Sequence, residues 1–204
     1  MLTLALTGGI ATGKSTFARL FLELARDTAF FDCDACVQQL LMKPEIIAAI
    51  ASALGPDIQS QDGSLDRRRL RALVFDHPER RKILEGILHP LVRQECQAAW
   101  ESARGAGIAP YFLADVPLLY ESSFPLNRDI EIVVACGPAT QRARLMERSN
   151  FSGELADKII AAQLPLAEKM HRARIVLWNG GPPASLRRQT ELLLAWLLRG
   201  SGND

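Results

Sequence analysis

Between the apolar run Leu2–Thr7 and the amphipathic stretch that begins near Ser15, the chain reads Gly8-Gly9-Ile10-Ala11-Thr12-Gly13-Lys14-Ser15. This satisfies G-x-x-x-x-G-K-[S/T] in full and in the context that pattern requires, with a short strand before it and a helix after it. Each position has a physical reason. Glycines let successive backbone N–H groups turn inward as an anion-binding nest, and the helix N-terminus adds its partial positive charge. Lys14 can reach the β- and γ-phosphates of a nucleotide, and the Ser15 hydroxyl can ligate Mg²⁺. The stretch Gly9, Ile10, Ala11, Thr12, Gly13, Lys14, Ser15 and Thr16 is therefore expected to bind a nucleoside triphosphate.

Working outward, Phe17, Leu20, Phe21 and Leu24 recur at i, i+3, i+4 and i+7 on one helical face. Ala29-Phe30-Phe31 reads as a second strand, ending in Asp32-Cys33-Asp34. Strand, glycine loop, helix, strand is the opening of a parallel α/β sheet. Then the pattern changes. Val37–Met42, Ile46–Leu54, Arg67–Phe75, Arg80–Leu88 and Leu91–Ala103 read as helices, separated at Pro44, Gly55-Pro56, Asp62-Gly63 and His89-Pro90. Strands return at Tyr111–Ala114, Ile130–Ala135 and Ile175–Trp178, with a helix at Pro138–Arg148, two helical pieces before Arg174 and a last helix at Leu186–Leu198. The expected architecture is a three-layer P-loop α/β fold with a parallel sheet. Its nucleotide-binding core takes residues 1–35, 105–147 and 173–204, its helical insert 36–104 and its lid 148–172.

Composition narrows the function. The chain has 204 residues, with 24 basic against 23 acidic side chains and a formal charge of +1. No global basic field exists to gather nucleic acid, and 48% hydrophobic content argues against disorder. No run approaches the ~20 apolar residues that cross a bilayer, and Met1–Gly9 lacks a charged secretory start. We expect a cytoplasmic protein with no membrane partner and with Cys33, Cys36, Cys96 and Cys136 reduced. A single CxxC spacing enclosing Asp-Ala is a weak zinc or redox signal. Arginine outnumbers lysine 19 to five, which fits either phosphate gripping or genome base composition.

Neither Asp-x-x-Gly nor Asn-Lys-x-Asp occurs, so no GTPase switch is legible, and motors and transporters are usually longer. A small-molecule kinase remains, its insert holding the acceptor and its lid keeping water from the γ-phosphate. Asp32 and Asp34, two apart in an extended segment, would point the same way; they either work on an acceptor hydroxyl or cap a helix. Arg144 and Arg148 share a helical face with spacing i, i+4, as lid cations or as a solvated surface; Arg142 lies beside them. Most of the run Arg67-Arg68-Arg69-Leu70-Arg71 is expected to be solvated. Asp115 is a candidate second carboxylate for Mg²⁺, held through water. Glu121 either orients a substrate or pairs with an arginine. His89 is as readily a helix cap as a ligand-binding group.

Taken together, Thr7–Thr16, Asp32-Cys-Asp34, Leu88-His89-Pro90-Leu91-Val92, Val116–Glu121, Gln141-x-x-Arg144-x-x-x-Arg148, Gln163–Lys169 and Asn179-Gly180-Gly181 occur in the order seen in dephospho-CoA kinases. The chain resembles that family from Leu2 to about Gly181. The resemblance implies ATP-dependent phosphorylation of the 3′-hydroxyl of dephospho-CoA, with Mg²⁺ as cofactor, by a monomer or small homo-oligomer. It implies Asp34 as general base and Arg144 as the charge-stabilising arginine, with Thr7 and Lys14 in the catalytic set and Arg148 and Asn179 on the ATP side. Asp32, Arg67, His89, Leu118, Leu119 and Glu121 would surround the acceptor. Three departures stand out. Ala11 occupies a usual glycine position and needs a φ that alanine tolerates, Gln38 replaces a common basic residue, and Arg174 and Trp178 sit where Asp is frequent. The rival readings are a P-loop kinase for another small alcohol or nucleoside, and a module that senses ATP without transferring phosphate.

Overall fold

Leu4 and Leu6 face one side of strand β1 (Leu2–Gly8), Thr3, Ala5 and Thr7 the other, and all five are at most 3% exposed. A strand buried on both faces needs cover on both, which crossover helices supply in a parallel sheet. The computed structural model describes residues 1–60, 62–75, 77–122 and 124–200; the final stretch of the expected core, 201–204, lies outside them. Strands β2 (Ala29–Asp32), β3 (Tyr111–Asp115), β4 (Ile130–Ala135) and β5 (Ile175–Trp178) join β1 in one sheet of order β2-β3-β1-β4-β5. The pairs β1–β3, β1–β4 and β4–β5 are parallel, with Leu6 level with Asp115 and Gly8 level with Val134. The chain turns one way from β1 to β2, then crosses back over β1 between β3 and β4. Such a reversal opens a crevice at the carboxyl ends of the strands.

The chain forms two compact units. The first, Met1–Phe31 with Trp100 onward, contains most of the sheet together with α1 (Lys14–Leu24), α6 (Pro138–Ser149), α7 (Gly153–Ala161), α8 (Leu166–Arg172) and α9 (Pro183–Gly200). Phe17, Leu20 and Phe21 of α1 and Leu186, Leu193 and Leu197 of α9 pack with Leu4, Leu6, Leu113, Ile132 and Val134 of the strands. The expected stripe ends sooner than its periodicity suggested, because Leu24 is 36% exposed at the end of α1. α8 packs against β1 and β4. No helix among the described residues is long and apolar enough to cross a membrane.

The second unit, Asp32–Ala99, is helical: α2 (Cys33–Leu40), α3 (Pro44–Leu54), a 3₁₀ turn (Pro56–Ile58), α4 (Arg67–Phe75) and most of α5 (Pro78–Ala106). The two helices expected on either side of His89-Pro90 are one continuous helix of 29 residues with Pro90 inside it. Proline forfeits a single ladder bond, the one that would reach the Gly86 carbonyl, and clashes with that carbonyl. The buried residues Leu88, Val92 and Cys96 fall at i, i+4 and i+8 across the proline, so one burial stripe continues through it. Burial pushes the Cys96 thiol up to about 12, and no disulfide joins any of the four cysteines.

Phe17 is 0% exposed with its ring centroid 5.7 Å from that of Phe21. Phe17→Ala should lower unfolding stability by about 3–5 kcal/mol, measured as a shift in denaturant midpoint at constant slope.

Candidate active site

The loop leaves the sheet at Gly8 and enters α1 through Gly13, an N-cap in the left-handed region (φ 103°, ψ 26°). Ala11 is left-handed too, at φ 59°. An L-residue there costs about 1–2 kcal/mol, so the surroundings must hold the conformation. Gln141 Nε2 donates to the Ile10 carbonyl at 2.9 Å, and the Ile10 N–H donates to Gln163 Oε1 at 2.9 Å. Asn179 Nδ2 donates to the Thr12 carbonyl at 2.9 Å, and Thr12 Oγ1 to the Gly9 carbonyl at 2.9 Å. The motif glycines answer to these partners. A Cβ on Gly9 would lie 2.5 Å from Gln141 Nε2, and one on Gly13 would collide with the Asn179 amide.

Beneath the loop, Lys169 is 0% exposed. Its ammonium donates to Glu121 Oε1 at 2.7 Å, to the Pro117 carbonyl at 3.1 Å and to the Gly8 carbonyl at 3.5 Å. Thr7 Oγ1 donates to the same Pro117 carbonyl at 3.1 Å, and Glu121 Oε1 also accepts the Leu164 N–H at 3.1 Å. The cation beside Glu121 is therefore a lysine, where the sequence reading offered an arginine or a substrate. Between these residues Leu118 is 36% exposed and Leu119 is buried.

On α6, Arg144 Nη1 is sealed from solvent with no hydrogen-bond partner. A charged donor left so is costly to fold around, and it is suited to receive an anion. The Arg144 guanidinium reaches Cys136, and it offsets in part the rise that burial imposes on that thiol. Arg148, one turn on, is exposed. Arg142 is committed to Asp157 through contacts of 2.8 and 3.2 Å that tie α6 to α7. Asp115 is 8% exposed at the end of β3, and the Ser15 side chain is at the surface in the first turn of α1. Among the described residues no cluster of three or more His, Cys, Asp or Glu could hold a metal alone. A hydroxyl and a carboxylate at the phosphate end still suit Mg²⁺, which keeps waters and leans on phosphate oxygens.

In the second unit Asp32 is the N-cap of α2 (φ −110°, ψ 111°), its Oδ1 accepting the Ala35 N–H at 3.0 Å. Asp34 is exposed in the first turn of that helix. The strand-like alternation expected of the two carboxylates is thus corrected: the chain is extended only to Asp32, because the cap starts the helix one residue later. Two carboxylates at a helix N-terminus are favoured there by its dipole. Arg67 is exposed at the start of α4, and His89 lies inside α5, where it caps no helix. Three residues carried no assigned role in the sequence reading: Gln141, Gln163 and Lys169. Position supplied one signal, since Gln141 stands one turn before Arg144 and so shares its face.

The description Dephospho-CoA kinase belongs to the family profile that matches residues 2–184. A dephospho-CoA kinase of Anaeromyxobacter dehalogenans is 42% identical over 206 residues, spanning 99% of this chain and 95% of the relative. The crystal structure of TT1252 from Thermus thermophilus is similar at a TM-score of 0.79 and 33% identity, covering 96% of this chain and 97% of that one. The dephospho-CoA kinase from Campylobacter jejuni shares the fold at a TM-score of 0.65 and 23% identity, with 96% of each chain covered.

Two outcomes test the site's internal support. Ala11→Gly relieves the left-handed strain but loosens the unfolded chain, and should leave a net stabilisation of about 0.5–1 kcal/mol by denaturant titration. Glu121→Ala strands the Lys169 ammonium and should cost about 3 kcal/mol; adding Lys169→Met should recover most of that loss in a double-mutant cycle.

Proposed function

Because the chain belongs to the dephospho-CoA kinase family, we propose that it transfers the γ-phosphoryl group of ATP to the 3′-hydroxyl of dephospho-CoA, giving ADP and CoA. The observation that carries the reading is the complete phosphate loop at the carboxyl end of β1 with the unsatisfied Arg144 Nη1 on α6 of the same unit.

Asp34 takes the proton of the ribose 3′-hydroxyl as its oxygen attacks the γ-phosphorus. The bond to the bridging oxygen of ADP breaks, and the charge spread over the moving phosphoryl is met by Lys14, the loop amides, Arg144 and Arg148. Ser15 and Asp115 would hold Mg²⁺, which would supply neutralisation of phosphate charge. Asp32 fixes the start of α2 and so the place of Asp34. Arg67 and His89 of the second unit, and Leu118, Leu119 and Glu121 of the first, would contact the acceptor, with Lys169 holding Glu121. Thr7 secures the Pro117 carbonyl behind the loop. Asn179 supports the nucleotide side through Thr12. The reaction runs in the cytoplasm, and positioning provides most of its rate.

Purified protein with Mg-ATP and dephospho-CoA should yield ADP and CoA one for one. Asp34→Asn should lower kcat by about 10²- to 10⁴-fold while leaving ATP affinity nearly intact. Turnover on another alcohol but not on dephospho-CoA would overturn the acceptor, and tight ATP binding with no product on any acceptor would make the chain a sensor.

A further inference from the structure

We infer that Gln141 is a positioning residue for the triphosphate: by holding the Ile10 carbonyl from behind, it aims the Ala11 amide N–H at a phosphate oxygen. In a trans peptide the C=O and the following N–H point in opposite directions. The Ile10 carbonyl is fixed on Gln141 Nε2 at 2.9 Å, so the Ala11 N–H points away from α6. The preceding peptide is pinned as well. Its carbonyl, on Gly9, accepts from Thr12 Oγ1 at 2.9 Å, and its N–H, on Ile10, donates to Gln163 Oε1 at 2.9 Å. With both planes set, Ile10 has little choice of torsion; the next plane is held by the Thr12 N–H donating to the Gly9 carbonyl at 3.4 Å, and Ala11, between the two, sits at φ 59°.

Gln141 is built for this duty and for little else. It is 5% exposed, and its amide passes so close over Gly9 that a Cβ there would lie 2.5 Å from Nε2. It shares a face of α6 with Arg144, three residues on. One helix face thus sets the direction of a loop donor and presents the guanidinium whose Nη1 is unsatisfied. The inference rests on the nucleotide half of the proposed function and is independent of the acceptor.

The test pairs Gln141→Glu, nearly isosteric but with no N–H to offer, with the wild-type chain, and uses ATP without acceptor. Calorimetry should show ATP binding weakened about 10-fold in the variant. With dephospho-CoA present the KM for ATP should rise similarly while kcat stays within about threefold. In ¹⁵N-alanine-labelled wild-type protein the Ala11 amide resonance should move on addition of ATP, and in the variant it should not. An unchanged ATP affinity, or an Ala11 resonance that ignores ATP in the wild-type protein, overturns the inference. So does an equal loss of kcat and ATP affinity accompanied by a lowered Tm, which would make Gln141 a packing residue. If that variant fails to fold, Gln141→Met, which fills similar space with no N–H to offer, takes its place with the same outcomes. Failure of dephospho-CoA as acceptor would leave the calorimetric and spectroscopic results standing.

Discussion

A loop that offers its amides to an anion must find something else for its carbonyls. In this protein the carbonyls of Gly8, Gly9, Ile10 and Thr12 are held by the Lys169 ammonium, the Thr12 hydroxyl and the side-chain amides of Gln141 and Asn179. Backbone polar groups away from water are almost always paired, and here the pairing is supplied from α6, α8, the end of β5 and the loop's own Thr12. The arrangement also explains why the motif glycines are needed before any ligand binds. They give room to amide side chains on the outer side of the loop as well as to phosphate on the inner side.

The same economy of partners shapes the layer beneath. Lys169 brings a full charge into the dry side of the sheet, which is tolerable only because Glu121 and two carbonyls surround it. Glu121 in turn takes the Leu164 N–H, and Gln163 beside it reaches Ile10. The stretch from Gln163 to Lys169 is thereby bound to the phosphate loop at both of its ends.

Much of this fold is legible in the residues. Ile130–Ala135 is a strand with the boundaries its apolar run marks, and Arg67–Phe75 is a helix between the breaks that flank it. The phosphate loop could be read because its chemistry is local, each position serving the next. Asp32 and Asp34 were harder, since a two-residue alternation and a helix cap use the same letters until the following residues choose; the Ala35 N–H makes that choice. Pro90 misled for a related reason. A proline is a strong local signal, but a burial stripe through Leu88, Val92 and Cys96 outweighs one lost hydrogen bond. Gln141, Gln163 and Lys169 were invisible as braces because they hold distant backbone atoms and, for Lys169, a carboxylate far along the chain, and composition carries no trace of those.

That proline leaves a mechanical signature. Along the 29 residues of α5 every stretch resists flexure through its ladder except the turn from Gly86 to Pro90, where one rung is missing. Sharp bends in helices fall at prolines, so load applied to this rod concentrates at that turn.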